Sequence, residues 1–204
     1  MKWRWLSLLW LAAPVLAGDA LTPQTLAELV SCTSFERYQA LQPALLDVVF
    51  DKGPDWIRKN TAASQLGVYV YDLTTPITVF GQPVRRLALH KEFVSVPLAD
   101  GETLAAAAKR LSLKRAPIAV TEQYYRFTGE AGPMLSAYEI AANPLALLLG
   151  VPDKTPAQRY LGCTYQPTDE ATFLQVARQA DAMMQQARHD MDRMMRDEPS
   201  PTKD

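Results

Sequence analysis

Histidine, cysteine and long apolar runs are all scarce in this 204-residue chain. Histidine occurs twice, at His90 and His189, and neither stands in a metalloprotease, haem-attachment or nucleophile-elbow pattern. A Ser-His-Asp triad written around His90 is not asked for by any spacing. Paired carboxylates such as Glu122 with Glu130 occur by chance in any chain of this size and carry no glycosidase signature. Basic excess is missing too: 21 Lys and Arg face 22 Asp and Glu, which argues against nucleic acid as a partner. No run past the amino terminus reaches the roughly 20 apolar residues of a bilayer span. The richest, Pro144 to Val151, is less than half that and reads as a buried helix turn or strand. No catalytic residue, cofactor or metal-ligand set is expected on these grounds.

What is present begins at the amino terminus. Lys2 and Arg4 are followed by an almost unbroken apolar run from Trp5 to Ala13, then Pro14 and Val15-Leu16-Ala17. That order predicts a secretory signal peptide over residues 1–17, cut after Ala17, and a soluble protein exported to a bacterial periplasm. Its loss takes 21 basic residues to 19 against 22 acids, a net charge of about three negative. No cysteine follows the cut directly, so a lipid anchor is not indicated. Cys32 and Cys163 are the only cysteines. In an oxidising compartment such a pair is expected to close one disulfide, whereas a redox site favours Cys-x-x-Cys and a zinc site needs further ligands.

Periodicity divides the remainder into an α+β domain over residues 18–168, a long helix over 169–197 and a disordered tail over 198–204. Thr22-Pro23 caps a first helix reaching about Cys32, Ser34 caps a further turn or two, and Pro43 starts another apolar segment to Phe50. From Gly67 the period becomes two. Strands are expected over Gly67 to Leu73, Ile77 to Phe80, Val84 to Leu89 and Phe93 to Leu98, with a turn at Thr74-Thr75-Pro76 and an edge or bulge at Pro83. Asp100 is the expected N-cap of a helix over Glu102 to Leu111. Ile118 to Phe127 and Arg159 to Tyr165 read as strands, and Leu135 to Ile140 as strand or helix. The succession predicts an antiparallel sheet of five to six strands with helices on one face and a long amphipathic C-terminal helix.

That helix carries the most suggestive pattern. At 100° per residue, Met183, Met184, Met191, Met194 and Met195 fall on one stripe with Phe173, Val176, Ala177, Ala180 and Ala187. Methionine beside alanine suits a buried face, but also a partner-binding face, because thioethers adapt to varied surfaces. A copper(I) site is a third reading, weakened because His189 lies 120° or more from the stripe. Phe173 and Val176 are expected to dock the proximal turns while the Met-rich end overhangs. Tyr124 and Tyr125 point to opposite faces, so in a sheet covered on one side one of them is exposed and available to a partner. Basic residues gather at Arg85, Arg86, His90 and Lys91, and again at Lys109, Arg110, Lys114 and Arg115. Both clusters suit ordinary strand-edge and helix-end roles, or an anionic envelope component.

The functional expectation is a non-catalytic exported accessory protein that holds a protein partner in the cell envelope, as an inhibitor, immunity factor, chaperone or assembly component does. A homodimer through the C-terminal helix is a further possibility. The alternatives are a periplasmic hydrolase acting on envelope material and a copper-handling protein.

Overall fold

Residues 20–65, 67–142 and 157–197 are described by a computed structural model. The expected signal peptide over residues 1–17, the Pro144 to Val151 run and the expected tail over residues 198–204 lie outside them. The described residues form an α+β fold: four helices and one eight-stranded antiparallel sheet in the order β1-β2-β3-β4-β8-β7-β6-β5. Two four-stranded meanders therefore meet edge to edge at β4 and β8.

Helix α1 (Pro23–Val30) starts as its sequence demands, with Thr22 and Thr25 in a reciprocal capping box and Pro23 in the first turn. It ends at Cys32, which takes the left-handed conformation (φ 67°), with the Thr33 N–H bonded back to the Glu28 carbonyl. Glycine is the usual occupant of that position. Helix α2 (Phe35–Val49) is capped by Ser34 and runs straight through Pro43, which therefore does not begin a new segment. Pro43 and Gln39, whose carbonyl it leaves without a donor, are both exposed, so water takes the missing place.

The strands are β1 (Ile57–Lys59), β2 (Tyr69–Val79), β3 (Gln82–His90), β4 (Phe93–Pro97), β5 (Lys114–Arg115), β6 (Gln123–Phe127), β7 (Met134–Ile140) and β8 (Gln158–Thr164). Eight replace the expected five to six. The expected turn at Thr74-Thr75-Pro76 is a register shift inside the single long strand β2, between Asp72 and Ile77. Pro83 is tolerated in β3 near the hairpin end, because β4 pairs only with Ala88–His90. The segment from Ile118 is strand only from Gln123 onward, and Leu135 to Ile140 is strand. Helix α3 (Leu104–Leu111) is capped by Thr103, whose hydroxyl accepts the Ala106 N–H at 3.1 Å, and not by Asp100.

One sheet face carries Leu73, Leu87, Leu89, Val94, Val96, Leu135, Leu161 and Cys163, which form the main core with α1, α2 and α3. The Cys32–Cys163 disulfide, with Cα atoms 4.9 Å apart, ties the end of α1 to β8 at the centre of the sheet. Beside it the Tyr165 hydroxyl donates to the Leu29 carbonyl at 2.7 Å, and the Tyr38 ring stacks on Tyr165 at 4.2 Å. The opposite face has a row of small residues in register, Ala88, Ser95, Gly162 and Ser136, between Val70 and Tyr125. Toward β6 that face is covered by α4 (Glu170–Asp197). Among the described residues no helix is long and apolar enough to cross a membrane.

Candidate functional site

Helix α4 is held by its first three turns. Asp169 caps it, accepting the Thr172 N–H at 2.8 Å and the Thr172 hydroxyl at 3.1 Å. Glu170 accepts Lys114 Nζ at 3.0 Å and the Tyr125 hydroxyl at 2.9 Å. Phe173 enters an aromatic cluster with Tyr125 and Phe127, at centroid distances of 4.7 and 6.0 Å, and Ala177 is buried one turn on. Burial, together with the bond to Glu170, pushes the Tyr125 phenol up to about 12.

The last buried position along the helix, among the described residues, is Asp181. Its Oδ1 accepts the backbone N–H groups of Ala119 (2.7 Å) and Val120 (3.0 Å), and its Oδ2 accepts Gln185 Nε2 at 2.6 Å. These donors, led by Val120, hold the Asp181 carboxyl below the ordinary carboxylate range. A carboxylate of depressed pKa contributes its bonding fully above its unfolded value, and the contribution is lost as pH falls through the folded value. Acidification should therefore loosen α4 at this point, and lowered values at Asp169, Glu170 and Asp190 act in the same direction. The amide resonances of Ala119 and Val120 are expected to titrate with a midpoint below 3.8, the ordinary Asp value. In Asp181→Asn that titration should vanish. A midpoint at or above the ordinary value would show that the two N–H bonds do not form.

Beyond Asp181 the methionine stripe splits. Met184 and Met191 are half-buried, whereas Met183 is 73% and Met194 67% exposed. Val176, expected to be a docking residue, is 56% exposed, so Phe173, Leu174, Ala177 and Asp181 dock the helix instead. At about 1.5 Å per residue, the turns after Asp181 extend some 24 Å. Val176, Ala180, Met183, Ala187 and Met194 recur at steps of four, three, four and seven residues, the spacing of a helix-packing seam. Met195 belongs to the same helix, but its side chain lies outside the described set.

Neither tyrosine offers the exposed anchor expected. Tyr125 is buried beneath α4, and Tyr124 packs against the main core with its hydroxyl donating to Glu122 at 2.8 Å. The expectation of an exposed member assumed a sheet covered on one side, whereas helices cover both faces around β6. His90 stacks on Phe93 (5.9 Å), its Nδ1 buried without a hydrogen-bond partner, and burial lowers its pKa. It lines none of the three best-formed cavities, and among the described residues no hydrogen bond joins it to a serine or a carboxylate. His189 is exposed, its Nδ1 3.9 Å from Asp190. No group of three His, Cys, Asp or Glu among the described residues could hold a metal ion. No protein family, curated protein or solved structure matches the chain.

Proposed function

We propose that the protein is an exported, non-catalytic accessory protein that holds a protein partner in the periplasm, with the distal half of α4 as the holding surface. The observation that carries this reading is the exposure of Met183 and Met194 on a helix anchored, among the described residues, through its proximal turns. Flexible thioethers on a 3-4 seam suit an apolar helix or groove in the partner, which fills around them. Export is supported by the charged-apolar-small order of residues 1–17, with cleavage after Ala17, and by the disulfide, a bond favoured in oxidising compartments.

Met183→Gln with Met194→Gln is the discriminating variant. Glutamine has similar length and helix propensity, and exposed substitutions usually alter stability by within about 0.5 kcal/mol. The double variant should melt with the parent protein yet lose the partner retained by the parent when both are used to capture proteins from the native envelope. Unchanged capture would remove the distal helix from the account. A large loss of stability would make the two methionines part of the fold.

A further inference from the structure

The two basic clusters of the sequence, one on β3 and one on α3, meet in space. Arg85 and Arg86 from β3 and Arg110 from the last turn of α3 line a single cavity of about 280 Å³, beside the connector from β4 to α3. Its inner wall is apolar and reaches the main core: Val79, Val96 and Leu161 are buried there, and Phe80, Val84 and Leu98 complete it. An arginine rim over an aliphatic floor is unusual for this protein, whose charge is negative overall once the first seventeen residues are set aside.

The arginines are only partly engaged. Arg86 Nε contacts Asp72 at 3.1 Å, Arg85 gives one N–H to the Thr74 carbonyl at 3.3 Å, and Arg110 gives one to Glu102 at 2.8 Å. A guanidinium has five N–H donors in a planar fork that matches a carboxylate, so each retains capacity. Two acids also line the cavity. Glu102 is matched by Arg110, which leaves Arg85 and Arg86 facing the exposed Asp100, with Arg86 shared with Asp72. The residues that line the cavity carry one positive charge in excess, which Asp72 beside Arg86 offsets, so an anion is held by the unused N–H donors and not by net charge. The volume of about 280 Å³ lies just below the usual range of small-ligand sites, enough for one short apolar chain and not for a two-chain lipid.

We infer that this cavity binds a small anionic amphiphile, with its carboxylate on Arg85, Arg86 and Arg110 and its apolar body against Val79, Val96, Leu98 and Leu161. The carboxylate belongs either to a single-chain fatty acid or to the carboxyl terminus of an apolar peptide, two sources of the same chemistry. The site is separate from the face of α4 and stands whether or not that helix holds a partner.

Titration of the intact protein with decanoate, with N-acetyl-Leu-Leu and with decanol, read by the methyl resonances of Val79, Val96 and Leu161, tests the assignment. At least one of the two carboxylates should shift those methyls and bind at least tenfold more tightly than decanol, and the tighter one identifies the source. Arg85→Gln with Arg86→Gln should bring its affinity down to that of decanol. If that variant is unstable, Gln82→Glu, an exposed change at the rim, should weaken the carboxylate and leave decanol unaffected. Equal binding of decanol and both carboxylates, shifts confined to other residues, or no carboxylate binding at millimolar concentration would each overturn the proposal.

Discussion

Replacing Cys32 and Cys163 together by alanine is expected to lower the unfolding free energy by about 5 kcal/mol. The bridge closes a loop across a sequence separation of 131 residues, and the chain-entropy relation assigns a loop of that length roughly this stabilisation. Local structure adds to the effect. Cys32 holds a left-handed conformation that glycine adopts more easily, and the disulfide is what fixes it to β8. Without it, the Tyr165 bond to Leu29 and the buried apolar side chains of α1 are left to hold that helix to the sheet centre. Urea unfolding of the double variant should show a much lower midpoint and an m-value at or above the parent's, because the unfolded chain is no longer cross-linked and exposes more surface. A difference below about 1 kcal/mol would show that the hydrophobic contacts of α1 suffice without the bridge.

The second large effect lies where the two meanders meet. A Cβ built on Gly162 would come within 2.4 Å of Ser95 Cα and of the Val94 carbonyl oxygen, both backbone atoms of β4. Such atoms cannot move aside as a side-chain end can, so β4 and β8 must separate and weaken the pairing from Phe93–Thr164 to Pro97–Tyr160. The same shift disturbs Ser95, whose buried hydroxyl bonds the Ala88 carbonyl (3.2 Å) and the Tyr138 hydroxyl (3.0 Å). Overpacking a core costs about 1–3 kcal/mol and occasionally more. Gly162→Val is expected at or beyond the top of that range, through steric conflict and not through backbone freedom. A melting temperature within a degree of the parent's would show that the sheet has slack at this junction.

Local signals carried much of the architecture. Thr22-Pro23 and Ser34 cap helices because their side-chain oxygens act within one turn, and the disulfide follows from there being only two cysteines. β1 and β5 escaped notice because three and two residues are too few to display a period of two. Thr74-Thr75-Pro76 has turn composition, yet pairing on either side of it continues β2 through an irregularity. Asp100 and Thr103 are both competent caps, and the sequence does not choose between them.

The site was less legible, because its parts meet only across long sequence separations. Nothing near Asp181 signals that its carboxylate meets the backbone of Ala119 and Val120, 62 and 61 residues away. Helical periodicity grouped all five distal methionines into one stripe. It could not divide them, since division depends on which side of α4 faces the domain. The expectation that one of Tyr124 and Tyr125 is exposed fails for the same reason: the burial of Tyr125 is created by α4 itself. Arg85, Arg86 and Arg110 were visible as two clusters, and only the fold brings them to one cavity.

Hydrogen exchange along α4 in the isolated protein tests most directly whether the helix offers a free face. Amides from Phe173 to Ala182 should be protected by the aromatic cluster and the Asp181 bonds, whereas those from Gln185 to Arg196 should exchange markedly faster, by opening that leaves the domain folded. Uniform protection through Arg196, equal to that of the proximal turns, would contradict the account, because the methionine-bearing half would then be secured by the protein's own fold.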